Sequence, residues 1–413
     1  MARLRPDHPP RPLVLAGTPL PVVGRLRAYA CGITPYDVTH LGHAATYLWT
    51  DAAVRVLSAE GTRVVLARNI TDVDEALFAE AGRRGEHYDR LAALQKFSFD
   101  RTMTALGVRP PDHEPSARKH IDRVIELAVA LLANGQAYEV KGSVYARTAG
   151  AAAGLEPARA LELAAEYGDE PTDPRKQEPL DVAVWRAVPA ADEGGGPSVP
   201  AADEGGGPRV AAADEGGGPR TQSGDEGGRP AWPSPWGPGR PGWHAECAAM
   251  VLDTFGGGVD LHTGGADLAF PHHACEAMLA EAAVGVRPFA RAWLRAGTVA
   301  LDGAKMAKSS GNLVLVDDLL KTHSPAAVRL LCLNRRWADG WNFTTAELDA
   351  AAGILDSLYA AAARTGHGGP GGADADEVQR ALLADLDVPR AIEVALATGG
   401  AGARHLLDVL ALG

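Results

Sequence analysis

Tyr29-Ala30-Cys31-Gly32-Ile33-Thr34-Pro35-Tyr36-Asp37-Val38-Thr39-His40-Leu41-Gly42-His43-Ala44-Ala45-Thr46 is the stretch that decides the fold. It reads as a short buried strand, a turn and the start of a helix. Cys31 stands at the strand's end, and His40 and His43 stand where the helix begins. A helix N-terminus presents unpaired N–H groups and partial positive charge, which suits phosphate. A thiol, two imidazoles and an anion-binding helix start in one short segment point to a site that uses a nucleotide.

Residues 26–30 supply the strand that enters this turn. From residue 42 to 57 the apolar residues Ala45, Leu48, Trp49, Ala52, Ala53, Val56 and Leu57 recur at helical spacing. Gly61 punctuates, and residues 62–66 form a β-branched run suited to a buried parallel strand. Strand, helix, strand predicts a right-handed βαβ unit, hence an α/β fold with a doubly wound parallel sheet. Arg68-Asn69-Ile70-Thr71-Asp72-Val73-Asp74 follows the second strand. Open α/β sheets bind ligands beyond the carboxyl ends of their strands, so this loop is a second site candidate.

The bulk numbers narrow the class. A chain of 413 residues exceeds one compact core, and 46% hydrophobic with 22% charged residues is ordinary for a soluble protein. No apolar run approaches the roughly 18 residues that span a bilayer, and the N-terminus has no apolar signal core. Cys31, Cys247, Cys275 and Cys332 are too widely spaced for a disulfide framework. Reduced thiols and a cytoplasmic location are expected, with no membrane partner. Net charge is −12, from 52 acids against 40 bases, without a long Lys/Arg run. That balance argues against a large polynucleotide interface.

Residues 1–24 are Pro-rich and give no clear element. Residues 75–106 and 116–134 read as helices, 135–145 as a hairpin, and 180–188 as an apolar segment around Trp185. A unit beginning at Pro189 returns at 200 and, with Ala for its first Pro, at 211, a period of eleven. That period suits a right-handed supercoil. Three consecutive glycines per unit rule it out, at about 1 kcal/mol each in a helix and with nothing to bury. Residues 189–230 therefore read as a disordered, duplicated loop. Residues 256–270 form a Gly-rich strand and loop carrying His262 and Asp267, followed by a helix over 273–283 and a strand near 293–301. From 313 onward the pattern is mostly helical, with capping-box spacing from Thr344 to Glu347 and a flexible break at 366–372.

Cys31, Cys247 and His272 make the best metal set. Zn²⁺ favours thiolate and imidazole, and a catalytic site keeps one position open. Each residue alone reads more readily as a packed Cys or a satisfied His, and the three lie far apart in the chain; their surroundings favour ligation. Lys305-Met306-Ala307-Lys308-Ser309-Ser310-Gly311-Asn312 is either a solvated basic turn or a mobile clamp that sets two ammonium groups on a phosphate chain.

These blocks together resemble class I aminoacyl-tRNA synthetases in their cysteinyl form. Cys31-Gly32-Ile33-Thr34-Pro35-Tyr36-Asp37 with His40-Leu41-Gly42-His43 is similar to the first class signature, and the loop from Lys305 to the second. The segments 68–72, 239–247 and 267–273 are similar to further cysteinyl-type blocks. Pro35, His43 and the short C-terminal part resemble the branch of mycothiol-pathway ligases, which join cysteine to glucosaminyl-inositol. The tRNA enzymes usually differ at the Pro35 position and carry Asn at the His43 position. Ala307 departs from the usual Ser between the two lysines. Glu276 sits where the tRNA enzymes have a fourth zinc ligand.

The resemblance implies a Rossmann-like catalytic first half over 25–132 after an N-terminal extension (1–24), then a connective insert over 133–231. A second catalytic half over 232–312 would end in the lysine loop, and 313–413 would form a helical stem. It implies ATP-dependent activation of L-cysteine as cysteinyl-adenylate, with Mg²⁺, and transfer to the amine of an amino sugar by a monomer without tRNA. His40, Gly42, His43, Lys305 and Lys308 would bind and activate ATP. Gly32, Thr34, Thr71, Trp243 and Asp267 would bind cysteine, although Trp243 reads equally as core. Cys31, Cys247 and His272, with Glu276 as a possible fourth ligand, would hold zinc that selects the thiol. A cysteinyl-tRNA synthetase, a paralogue using another amine, and a non-catalytic binder stay open.

Overall fold

The computed structural model describes residues 10–20, 22, 24–36, 38–188, 229–306, 311–364 and 372–413. Along the chain it begins with β1 (Leu13–Leu15), β2 (Thr18–Leu20), β3 (Arg25–Ile33), α1 (Leu41–Ala59), β4 (Arg63–Ile70), α2 (Glu75–Arg84) and α3 (Tyr88–Ala105). Next come α4 (Ile121–Ala133), β5 (Ala137–Val140), β6 (Ser143–Ala146), α5 (Pro157–Glu166), β7 (Val182–Ala187) and β8 (Gly239–Pro241). Then follow α6 (Trp243–Phe255), β9 (Val259–Gly265), α7 (Ala274–Val284) and β10 (Ala290–Ala296), and after them β11 (Val299–Leu301) and β12 (Ala304–Lys305), which belong to a small separate sheet. The chain continues with α8 (Val316–Leu319), α9 (Pro325–Leu333), β13 (Trp341–Asn342), α10 (Thr345–Ala363), α11 (Ala373–Leu383), α12 (Val388–Thr398) and α13 (Gly400–Val409).

The central sheet is parallel, in the order β10-β9-β3-β4, with Ala28 of β3 beside Leu66 of β4 and Leu261 of β9. Parallel sheets are covered on both faces, and β3 shows why. Its Ala28 and Ala30 pack into one core with α1 and the C-terminal helices, while the alternating Tyr29 and Cys31 pack into another with α4, α6 and α7. The period of two thus sends the Cys31 thiol to the side of the sheet where Cys247 and Cys275 lie. A separate antiparallel sheet, β5-β6-β7-β8, carries the fully buried Trp185.

Two glycines shape the turn after β3. The β3–β4 register shifts between Ala30 and Ile33, and Gly32 N donates to Asn69 Oδ1 at 2.7 Å. A Cβ on Gly32 would lie 1.5 Å from the Asn69 carbonyl oxygen, so only glycine permits this approach. A Cβ on Gly42 would lie 2.9 Å from the His40 ring, which here caps α1 by accepting from Gly42 N.

Residues 13–20, given no element by the sequence reading, form a hairpin whose Leu13, Leu15 and Leu20 are buried in the core. The stretch 75–106 is two helices, because Gly85 adopts a left-handed conformation at the end of α2 and His87 caps α3. The disordered reading of 189–230 falls almost wholly outside the described residues, as do Lys308 and most of the break at 366–372.

The C-terminal helices reach back to α1. Arg329 on α9, 1% exposed, donates to Asp51 on α1 at 2.8 Å and to the carbonyls of Leu106 and Leu410 at 2.9 and 2.8 Å.

Candidate active site and metal centre

The ends of β3, β4, β9 and β10 and the start of α1 open into one cleft of about 870 Å³. Cys31, Gly32, Thr34, His40, Gly42, His43, Thr71, Trp243, Cys247, Asp267, His272 and Lys305, all expected from the sequence, line it. At its deep end lies a Cys/His group that could hold a metal ion. The donor atoms of Cys31, Cys247 and His272 lie within 4.8 Å of one another, and all three residues are buried. Burial pushes the Cys31 thiol pKa well up, and the neighbouring Cys247 thiol and Glu276 carboxylate add to it. Burial likewise holds His272 well below its ordinary value, so its imidazole is neutral. Buried neutral thiols beside a neutral imidazole are the donor set of a soft divalent ion, which binds as the thiols ionise.

The tautomers follow from a chain that sequence reading missed. Asp169 Oδ2 lies 3.1 Å from His244 Nε2, and His244 Nδ1 lies 2.9 Å from His272 Nδ1. A carboxylate accepts, so His244 donates from Nε2 and accepts at Nδ1, where His272 Nδ1–H donates. That leaves the lone pair of His272 Nε2 for a cation, held in orientation by a relay two residues deep. Trp243 stacks on His272 with ring centroids 4.0 Å apart, which resolves its two readings: it is half-buried, with the cleft on one side and the imidazole on the other.

Glu276 stands differently from Cys247 and His272. Its Oε1 accepts from His262 Nε2 at 3.1 Å and its Oε2 is 4.0 Å from Cys31 Sγ. With Cys31, His262 and His273 it forms a second, fully buried donor group. Thus Cys31 belongs to both groups, and Glu276 to the deeper one.

The shallower end suits phosphate. The His40 and His43 rings are 3.9 Å apart at the start of α1. His43 is exposed to the cleft, and the desolvation by the surrounding cleft walls lowers its pKa to about 4, so the imidazole is neutral near pH 7. Lys305 Nζ donates to Asp267 Oδ2 at 2.8 Å and to the Tyr167 hydroxyl at 3.2 Å. Burial would depress this ammonium, but the Asp267 carboxylate and Tyr167 outweigh it and the net shift is upward. Thr34 and Thr71 share a hydrogen bond of 2.7 Å between their hydroxyls, tying the loop after β3 to the loop after β4. Asn69 Nδ2 lies 3.4 Å from Cys247 Sγ.

One cleft thus brings together a Cys/His group that could hold a metal ion, a helix start suited to an anion and Lys305. The family profile described as tRNA synthetases class I (C) catalytic domain matches residues 21–200 and 221–353, and the chain belongs to that family. Among relatives, the L-cysteine:1D-myo-inositol 2-amino-2-deoxy-alpha-D-glucopyranoside ligase of Catenulispora acidiphila is 39% identical over 391 residues, covering 92% of this chain and 83% of that protein. The protein of the same name from Streptomyces coelicolor is 38% identical over 372 residues, covering 89% and 82%. Solved structures agree on the fold at low identity. The methionyl-tRNA synthetase of Mycobacterium tuberculosis bound by methionyl-adenylate aligns with TM-score 0.59 at 15% identity, over 93% of this chain and 84% of that one. The LeuRS of Agrobacterium radiobacter, in a ternary complex, aligns with TM-score 0.58 at 11% identity, over 94% and 83%.

Proposed function

We propose that this protein activates L-cysteine with ATP and joins it to the 2-amino group of glucosaminyl-inositol, a step of mycothiol biosynthesis. The observation that carries this reading is the buried Cys31–Cys247–His272 group opening into the same cleft as the His40–His43 helix start and Lys305. The names of its relatives supply the acceptor.

The cysteine carboxylate attacks the α-phosphate of ATP, and the bond to pyrophosphate breaks with its electron pair leaving on pyrophosphate. The N–H groups at the start of α1 face the phosphate charge, and His40 and the neutral imidazole of His43 donate hydrogen bonds to it. Asp267, with Thr34 and Thr71 beside it, receives the cysteine ammonium. That exchange frees Lys305 from its hydrogen bond with Asp267 to meet the departing pyrophosphate, joined by Lys308. Magnesium accompanies the nucleotide. Zinc held by Cys31, Cys247 and His272 supplies a soft Lewis acid that matches the cysteine thiolate and not the serine hydroxyl. In the second step the acceptor nitrogen bonds to the activated carbonyl carbon. The carbon–oxygen bond to AMP breaks with its electrons on the phosphate, and the amine's surplus protons leave to water.

Among the described residues no helix is long and apolar enough to cross a membrane, and we place the protein in the cytoplasm as a monomer. The deciding experiment is incubation with ATP, cysteine and either glucosaminyl-inositol or tRNA. The expected product is the cysteinyl amide of the amino sugar with AMP. Cysteinylated tRNA would replace this reading by that of a tRNA synthetase.

A further inference from the structure

The cleft has a wall that the activation chemistry does not use. Ala76, Ala79, Glu80 and Arg83 of α2 all line it, at offsets of three, four and seven residues, so one face of this helix borders the cavity. The other face of α2 packs Leu77, Phe78 and Ala81 into the core, which fixes the helix against the sheet.

The order of strands gives this wall a direction. α2 follows β4, at one edge of the sheet, while the loop carrying Lys305 follows β10 at the opposite edge. Cys31 at the end of β3 and Asp267 and His272 after β9 belong to the strands between them. A leaving phosphate drawn toward Lys305 therefore departs away from α2, and a nucleophile resting on α2 approaches the activated carbonyl from the other side. The Thr34–Thr71 hydrogen bond joins the two regions, since Asp74, three residues beyond Thr71, caps α2.

The chemistry of the wall is specific. Ala76 and Ala79 leave room. Glu80 is only 5% exposed, although its partners lie near the surface: Arg83, and Arg84 at 2.6 Å. The Arg83 side chain is 65% exposed, so a carboxylate lies deep and a guanidinium stands at the rim. A cationic amine that also carries several hydroxyls meets both halves. Its ammonium pairs with the carboxylate, and its hydroxyl oxygens accept from the guanidinium.

We propose that the α2 face is the acceptor subsite, with Glu80 holding the amine of a polyhydroxylated amino sugar and Arg83 its hydroxyls. This rests on the ligase reading of the preceding section and supplies the acceptor contacts that it lacks.

Glu80→Gln and Ala79→Leu test it in the full-length zinc-loaded protein. The first removes the charge and keeps the shape; the second fills the space and keeps the charge. Cysteine-dependent ATP–pyrophosphate exchange, a half-reaction in which the acceptor takes no part, reports that each variant folds and activates cysteine. The expected result is exchange within about twofold of the parent, and a KM for glucosaminyl-inositol raised at least tenfold in both variants. An unchanged acceptor KM in both overturns the subsite while the ligase reading stands. Loss of exchange in both also overturns it, because α2 would then serve activation. If the parent protein exchanges pyrophosphate but never transfers cysteine to glucosaminyl-inositol, the ligase reading falls and takes this subsite with it.

Discussion

Lys305 Nζ and Asp267 Oδ2 are 2.8 Å apart, so the first ammonium of the lysine loop rests on a carboxylate at the amino-acid end of the cleft. In the proposed mechanism this pair is a latch that substrate binding releases. Lys305→Gln is expected to lower the rate of cysteine-dependent pyrophosphate exchange about 10²-fold, the usual cost of losing one donor to developing charge. Its KM for cysteine should fall or stay level, because Asp267 is then free for the substrate. Steady-state exchange kinetics give both numbers, and a raised KM with an intact rate would contradict the latch.

Cys247→Ala removes one of three buried donors. Metal analysis of the purified variant should find zinc strongly depleted against about one equivalent in the parent. Discrimination against serine in the exchange assay should drop to the roughly 10- to 200-fold that steric fit alone provides. Full zinc content or undiminished selectivity in this variant would defeat thiol selection by metal.

His43 carries a sign that can be checked by titration. Its folded pKa of about 4 lies below the ordinary 6.5. Between these values the unfolded chain binds a proton that the folded chain refuses. The stability held by neutral His43 is therefore complete above pH 6.5 and is lost as pH falls toward 4. The ring is open to the cleft, so water softens the effect, and the direction is the prediction. Thermal melts should show the parent losing more stability than His43→Gln across that window, and parallel curves would refute it.

Arg329→Met leaves the buried Asp51 with Arg55 of its own helix at 2.7 Å and, beyond α3, the Arg109 backbone N–H at 3.2 Å and guanidinium at 3.8 Å. Leaving a buried charge with no partner costs about 3 kcal/mol or more, and the loss here is smaller because Arg55 remains. Urea unfolding should register that loss, and it should come with lower exchange activity because α1 carries His40 and His43.

The unit from β3 to β4 was legible because its signals are local. The apolar spacing over 42–57 matches an observed helix of Leu41–Ala59, and the run over 62–66 marks a strand that extends to Ile70. Cys31, Cys247 and His272 were found through the blocks around them, and the structure brings their donor atoms together. Asp169 and Tyr167 escaped notice because they lie in an Ala- and Glu-rich stretch, and their roles come from contacts with residues 75 and 100 or more positions away. Glu276 was read through the resemblance as a fourth metal ligand, and its pairing with His262 depends on how β9 and α7 meet. The hairpin at 13–20 was hidden by prolines that suggested no regular structure.

The bonds of Arg329 also set an order of events during synthesis. Asp51 lies in the helix that starts at the nucleotide end of the cleft, yet its buried partner is made 278 residues later, and that partner's own carbonyl acceptor, Leu410, later still. While the chain is growing, the first βαβ unit can form with Arg55 of the same helix already beside Asp51, but the buried contact with Arg329 is still missing. Contacts between such distant residues close slowly and last. The helix at the nucleotide end of the cleft is thus encoded early but gains its last buried partner only when the C-terminal helices have docked.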